Sequence, residues 1–176
     1  SIEKIKVRNP EINQAYQRVT YYRGLELFSN ESYEQAISYF DKSLQNAIAN
    51  PVTGGARFWR AEALYRTGDY NAAITGYNQF LATPGASSIP EYNEAFYNLG
   101  YSYFKLEDYG RARTNFNKFL TASLGKRTNK VADVYNRVGD THFVSREYSE
   151  AVRNYQQAFS MKVYDADYSL YQMAYC

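Results

Sequence analysis

Two columns of small residues run in step along most of the chain. One holds Gly24, Ala61, Gly100 and Gly139; the other holds Ala36, Ala73, Ala112 and Ala151. Both advance by steps of 37, 39 and 39 residues. Around the first column, "YYRGLELFSNESY" (21–33), "FWRAEALYRTGDY" (58–70), "YNLGYSYFKLEDY" (97–109) and "NRVGDTHFVSREY" (136–148) align without a gap. Each continues into a second segment: "EQAISYFDKSL", "NAAITGYNQFL", "GRARTNFNKFL" or "SEAVRNYQQAF". A copy of this length is one supersecondary unit that cannot bury its apolar face alone, so copies must stack. Large residues recur at helical spacing, as in Leu99, Tyr103 and Leu106, or Phe116, Phe119 and Leu120. The fold class is therefore all-α. A mid-helix glycine such as Gly100 costs about 1 kcal/mol relative to alanine. The repeat supplies a reason: a small residue lets the second helix come close, with the alanine column as its counterpart.

The expected map is regular. Asn9 caps a helix that starts at Pro10. First helices span about 10–29, 54–67, 90–106 and 129–145; second helices span about 32–49, 70–83, 109–122 and 148–160. The clusters "NPVTGG", "TPGASSIP" and "SLGKRTNK" carry turn and breaker residues and read as connections. "DADYSLYQMAYC" reads as the first helix of a fifth repeat, which stops at Cys176. Repeats therefore occupy about 10–50, 54–84, 90–122 and 129–160, with a partial copy at 165–176, in one solenoid over 1–176. With Ser1 in first place and no capping helix in last, the chain reads as a fragment of a longer protein.

The pattern resembles the tetratricopeptide repeat (TPR) family. The carriers are the small–aromatic–aromatic column (Gly100, Tyr103, Phe104), the turns "GDY" and "EDY" ending at Tyr70 and Tyr109, and the column of Ala112, Phe116 and Leu120. The copies depart from the family's usual period of about 34, and its closing proline survives only loosely, as Pro51 and Pro84. The style is similar to the long TPR arrays of Gram-negative bacterial envelope proteins, which points to the periplasm or envelope while leaving the cytoplasm open. The resemblance implies an α-solenoid wound into a right-handed superhelix, four repeats plus the first helix of a fifth, with first helices lining a concave groove. It places Tyr21, Leu25 and Phe28; Phe58, Glu62 and Tyr65; Tyr97, Tyr101 and Phe104; and Asn136, Asp140 and Phe143 on that face, with Arg66 and Lys105 beside them. Tyr97 and Tyr101 are expected to hold accessible rings there, while Leu99 and Tyr103 point inward. Aromatic Tyr21, Phe58 and Tyr97 stand where a carboxylate clamp needs polar residues, so binding of a partner's terminal carboxylates is not expected.

Composition narrows the function. Aromatics make up 18% of the chain and the formal charge is +2, which supplies no strong basic field for nucleic acid. Lys126, Arg127 and Lys130 form the one dense basic spot, in an expected loop, and read as a solvated connection. Cys176 is the only cysteine and His142 the only histidine. A single cysteine cannot form a disulfide within the chain, and a multi-histidine metal site or a Ser-His-Asp triad is hard to build from these. His142 falls at an inward position. Asp69 and the pair Glu107–Asp108 sit between paired helices and read as turn or helix-start residues rather than an acid/base pair. No apolar run approaches the ~20 residues of a membrane span.

The reading is a non-catalytic scaffold, without cofactor or metal, that binds a peptide segment of another protein. Its groove residues would be Tyr21, Phe28, Phe58, Glu62, Tyr65, Arg66, Tyr97, Tyr101, Phe104 and Lys105, with Trp59 beside them. The rivals are a glycan-binding envelope module, with tyrosines and Trp59 stacking on sugars, and a structural spacer. An apolar edge carrying Leu170, Met173 and Tyr175 would invite a second copy of the chain.

Overall fold

A computed structural model describes residues 10–45, 47 and 51–176. Among these, nine α-helices follow one another: α1 (Pro10–Ser29), α2 (Tyr33–Leu44), α3 (Pro51–Arg66), α4 (Tyr70–Leu81), α5 (Tyr92–Lys105), α6 (Tyr109–Ala122), α7 (Asn129–Val144), α8 (Tyr148–Met161) and α9 (Ala166–Tyr175). A 3₁₀ turn, Ala86–Ser88, lies between α4 and α5. The chain divides into two compact units, one up to Ala95 and one from Phe96, the boundary falling within α5. Asn9 and the expected end of α2 at 46 and 48–50 lie outside the described residues.

The paired helices turn in the same way four times. In each turn one residue adopts the left-handed conformation: Glu31 (φ 59°), Gly68 (87°), Glu107 (59°) and Arg146 (60°). The backbone N–H groups of Ser32, Asp69, Asp108 and Glu147 reach back to the carbonyls of Leu27, Leu64, Tyr103 and His142. This closes the last carbonyls of each first helix in a Schellman turn. The next residue starts the second helix. Asp69 and Asp108 accept through Oδ1 from the N–H of Ala72 and Arg111, both at 3.0 Å, so these two are true N-caps. Glu107 is the left-handed turn residue rather than a cap.

The small columns meet different partners from those expected. The alanines Ala36, Ala73, Ala112 and Ala151 are fully buried. What lies over Gly24, Gly100 and Gly139 is an aromatic ring: Phe40, Phe116 and Tyr155. A Cβ on Gly24 would sit 2.6 Å from Phe40 Cε1, and one on Gly139 2.5 Å from Tyr155 Cε1. The second repeat solves the same contact differently. Its first-column residue is Ala61, and the facing position on α4 is Gly76, where a Cβ would sit 2.8 Å from that of Ala61. One methyl group is tolerated at this crossing, from either side but not from both.

The connections hold one correction. α3 begins at Pro51 rather than near 54, so Gly54 and Gly55 are helical. Proline suits the first helical position because its missing N–H would find no partner there. Both glycines are buried: the Ile89 side chain presses on Gly54, and a Cβ on Gly55 would sit 2.7 Å from the Tyr21 hydroxyl. Buried Thr53 also anchors this turn, accepting from Gln17 Nε2 at 2.8 Å. The glycines that read as breakers are close-approach points. By contrast, Gly85 (φ 79°) and Gly125 (φ 77°) are genuine turn glycines. Arg127 is not merely solvated; it donates to the carbonyls of Ser160 and Met161 at the end of α8, at 3.0 and 3.1 Å.

Candidate functional site

The first helices carry the residues expected to bind, and their surroundings differ between the units. In the first unit, Leu25 and Phe28 of α1, Tyr33 of α2, and Trp59 and Arg66 of α3 wall an open cavity of about 470 Å³, with Glu31 at its edge. Phe28 meets Trp59 edge-on at 5.1 Å and Tyr33 at 5.3 Å. Arg66 is exposed and its Nε lies 3.1 Å from Glu62 Oε1. Of the residues assigned to the groove, Phe28 and Arg66 are brought together here. Tyr21 lies elsewhere, half-buried against Tyr22 and Phe40.

Two assignments in this unit need correcting. Phe58 is 2% exposed, packed on Tyr77 and Phe80 at 5.8 and 5.4 Å. Glu62 is 8% exposed and accepts from the Tyr77 hydroxyl at 2.7 Å. Neither offers a surface to a partner. Phe58 turns toward its own second helix, and Glu62 neutralises the polar tip of a buried tyrosine. The fourth repeat uses the same device: Asp140, one place after Gly139, accepts from Tyr155 at 2.9 Å. Where the second helix carries phenylalanine instead, the matching residue is uncharged: Leu25 beside Phe40, Tyr101 beside Phe116. A carboxylate facing Tyr and none facing Phe is a correlation the repeat alignment contains, and it would have taken Glu62 out of the groove.

The aromatics at the ends of the first helices also have a partner within their own repeat. Phe28, Tyr65, Phe104 and Phe143 pack against Tyr33, Tyr70, Tyr109 and Tyr148, with ring centroids 5.3, 5.4, 5.4 and 5.6 Å apart. All four remain half-buried. Lys105 is exposed.

In the second unit, Tyr97 and Tyr101 are half-buried rather than free. Their rings pack on Phe119 and Phe116, and both hydroxyls donate to Oδ2 of Asp133 on α7, at 3.0 and 2.5 Å. Leu99 and Tyr103 point inward, 1% and 9% exposed. Asp133, itself buried, begins a ladder along α7. Arg137 sits between Asp133 (3.6 Å) and Asp140 (2.7 Å), and its guanidinium lies 5.1 Å from the Tyr168 ring of α9. The Tyr168 hydroxyl donates to Asp140 at 2.7 Å. Burial and the adjacent Asp133 push the Tyr101 phenol far above its ordinary value. Burial, followed by Asp140, acts the same way on Tyr155 and lifts Tyr168 to about 12. Burial raises Asp140 itself, against the pull of Arg137 and the two tyrosine hydroxyls. Asn136 is fully buried and accepts from Ser169 at 2.8 Å. This ladder was missed because Asp133 lies ahead of the aligned segments, where the matching residues are Arg18, Gly55 and Glu94 and keep no common character.

His142 is mostly buried, as its inward position implied, with Nδ1 2.5 Å from Glu147 and 2.7 Å from Arg113. Among the described residues there is no group of three or more His, Cys, Asp or Glu side chains placed to hold a metal ion. No helix among them is long and apolar enough to cross a membrane.

Comparison with known proteins agrees with this architecture. Two models of the tetratricopeptide repeat match, over residues 21–87 and 94–124, together more than half of the chain. No curated protein sequence matches. Among solved structures, MamA (residues 41 to the end) from Desulfovibrio magneticus RS-1 superposes with a TM-score of 0.70 at 18% identity, covering 84% of this chain and 76% of that one. YrrB, described as a TPR protein with an unusual peptide-binding site, gives 0.71 at 18% identity, covering 92% and 76%. BtubC from P. vanneervenii gives 0.69 at 16% identity, covering 94% and 73%. With the helix pairs, the shared turn and the small-residue crossings all in register, the chain belongs to the tetratricopeptide repeat family, whose members are generally non-catalytic protein-interaction scaffolds.

Proposed function

We propose that this chain is a non-catalytic scaffold that holds an extended segment of a partner protein on its first helices. One observation carries the reading: the cavity on α1 and α3 is open and walled by Leu25, Phe28, Tyr33 and Trp59, with Arg66 and Glu31 at its rim. Aromatic walls give a large contact area at low conformational cost, and flanking charges of both signs orient a polypeptide backbone and its side chains. The likeness to YrrB supports a peptide as the ligand. In the second unit, half-buried Phe104 and exposed Lys105 are residues of the same chemical class. Sugar stacking is a poorer fit. Trp59 is half-buried and meets Phe28 and Phe58 edge-on, at 66° and 89°, so it does not present a flat, open ring.

Trp59 is the only tryptophan, so its fluorescence reports this cavity directly. Peptides selected on an array should shift its emission in a saturable way. Phe28→Ala and Arg66→Ala should each weaken the selected peptides, by about tenfold or more for Phe28 if it is a hot spot. Selected peptides that bind both variants as tightly as the wild type would refute the reading.

A further inference from the structure

A second cavity in the first unit lies away from the first-helix face just described. It measures about 680 Å³ and opens between α1, the start of α3 and the connection that carries the 3₁₀ turn. Val52, Pro84 and Ile89 form apolar walls, and Tyr21 and Tyr22 form an aromatic one. Among the described residues, Glu91 is the only charged one lining it. Among the described residues its carboxylate enters no ion pair and no hydrogen bond. The carboxylate is nevertheless close enough to be felt: burial and then Glu91 push the Tyr21 phenol up to about 12.

A carboxylate at a helix start is favoured by the helix dipole with or without a ligand. The cavity adds three things that capping does not require: room, a neighbouring aromatic wall and a negative charge with no counter-ion among the described residues. An apolar cavity with aromatic faces and the Glu91 carboxylate in its lining matches the chemistry of a basic side chain. An alkyl stem lies on the apolar wall, the cationic head meets the carboxylate, and the ring faces add cation–π attraction. The volume exceeds what one side chain fills, so neighbouring residues enter with it. The extra length of this repeat builds the site, because the 84–91 segment supplies the Pro84, Ile89 and Glu91 walls.

We propose that this cavity is a second binding site, selective for an arginine or lysine presented by a partner protein's chain. It does not depend on the groove at Trp59. The test uses the full chain and the peptide acetyl-Ala-Arg-Ala-amide, followed by amide NMR shifts at Gly85, Ser88 and Glu91. Saturable shifts at these residues are expected. Replacing arginine by citrulline, its neutral isostere, should weaken binding about tenfold, and Glu91→Gln should do the same. Tyr22, which is exposed and can be changed without disturbing the core, should give a several-fold loss as Tyr22→Ala. Trp59→Ala should leave the titration unchanged. Equal binding of the citrulline peptide, or of the Glu91→Gln protein, would overturn the proposal. So would loss of the signal in Trp59→Ala, or equally tight binding of free arginine amide, which would make the site one for a small cation rather than a polypeptide.

Discussion

Gly100→Leu puts a side chain where the structure has no room for one. A Cβ at this position would sit 2.8 Å from Phe116 Cγ and nearer still to Cδ1 and Cε1. Carbon atoms at ease lie about 3.5–4.0 Å apart. The ring would have to retreat by roughly 1 Å for the first carbon alone, and leucine adds three more. Phe116 has little room to retreat. It is 0% exposed, and Tyr101 meets it edge-on at 5.3 Å and 87°. Overpacking of this kind costs about 1–3 kcal/mol, and a full leucine belongs at the upper end. Removing a glycine from a helix returns up to about 1 kcal/mol. The net loss is about 2 kcal/mol or more. For a chain of this length, about 2 kcal/mol lowers the melting temperature by roughly 4–8 °C. Thermal unfolding followed by far-ultraviolet circular dichroism measures it. Gly110→Ala is the control: the nearest heavy atom is Asp108 Oδ1 at 4.0 Å, so only the gain in helix propensity remains, and the melting temperature should hold or rise. Adding Phe116→Ala to Gly100→Leu should recover about 1 kcal/mol or more relative to the sum of the single effects. Wild-type melting of Gly100→Leu, or strict additivity of the pair, would show that Phe116 does not confine this glycine.

Four further outcomes are expected. Replacing both Tyr97 and Tyr101 by alanine should destabilise by about 2 kcal/mol or more, because it empties the space beside Phe116 and Phe119 and strips two donors from buried Asp133; an unchanged urea midpoint would return these rings to the surface. The Asp108 carboxyl is held below its usual range by the Arg111 guanidinium and by the Arg111 backbone N–H. Its extra stabilisation is therefore full above the unfolded value of about 3.9 and is lost as pH falls through the lower folded value. Asp108→Asn keeps a cap but loses the charge, so the two proteins should differ at neutral pH and converge in strong acid; parallel curves down to low pH would contradict this. Glu107 holds a left-handed conformation that suits glycine, so Glu107→Gly should raise the urea midpoint, by up to about 1 kcal/mol in stability. Leu170, Tyr171 and Tyr175 are 53, 58 and 62% exposed on α9, so the chain should self-associate with rising concentration; a monomer at every concentration in sedimentation, under reducing and oxidising conditions alike, would refute this.

Much of the fold was legible in neighbouring residues. Helical spacing, the recurring turn and the caps Asp69 and Asp108 depend on contacts within a few positions, so the repeat alignment carries them directly. The inward setting of Leu99 and Tyr103 follows from the same period. The residues that line a site do not follow from it. A helix has a buried side and an open side, but side chains near the border take whichever partner the neighbouring helix brings. Glu62 and Phe58 went inward because Tyr77, 15 residues after Glu62, and Phe80 lie across the crossing. Tyr97 and Tyr101 lost their freedom to Asp133, 36 and 32 residues away. The sequence by itself determined that small and aromatic residues must meet where helices cross, because the columns recur in every copy. Which partner each met was fixed by packing between the helices: a ring over Gly24, Gly100 and Gly139, but Gly76 against Ala61. The same crossing volume can be shared between two helices in more than one way, and a periodic pattern specifies the crossing without specifying the division.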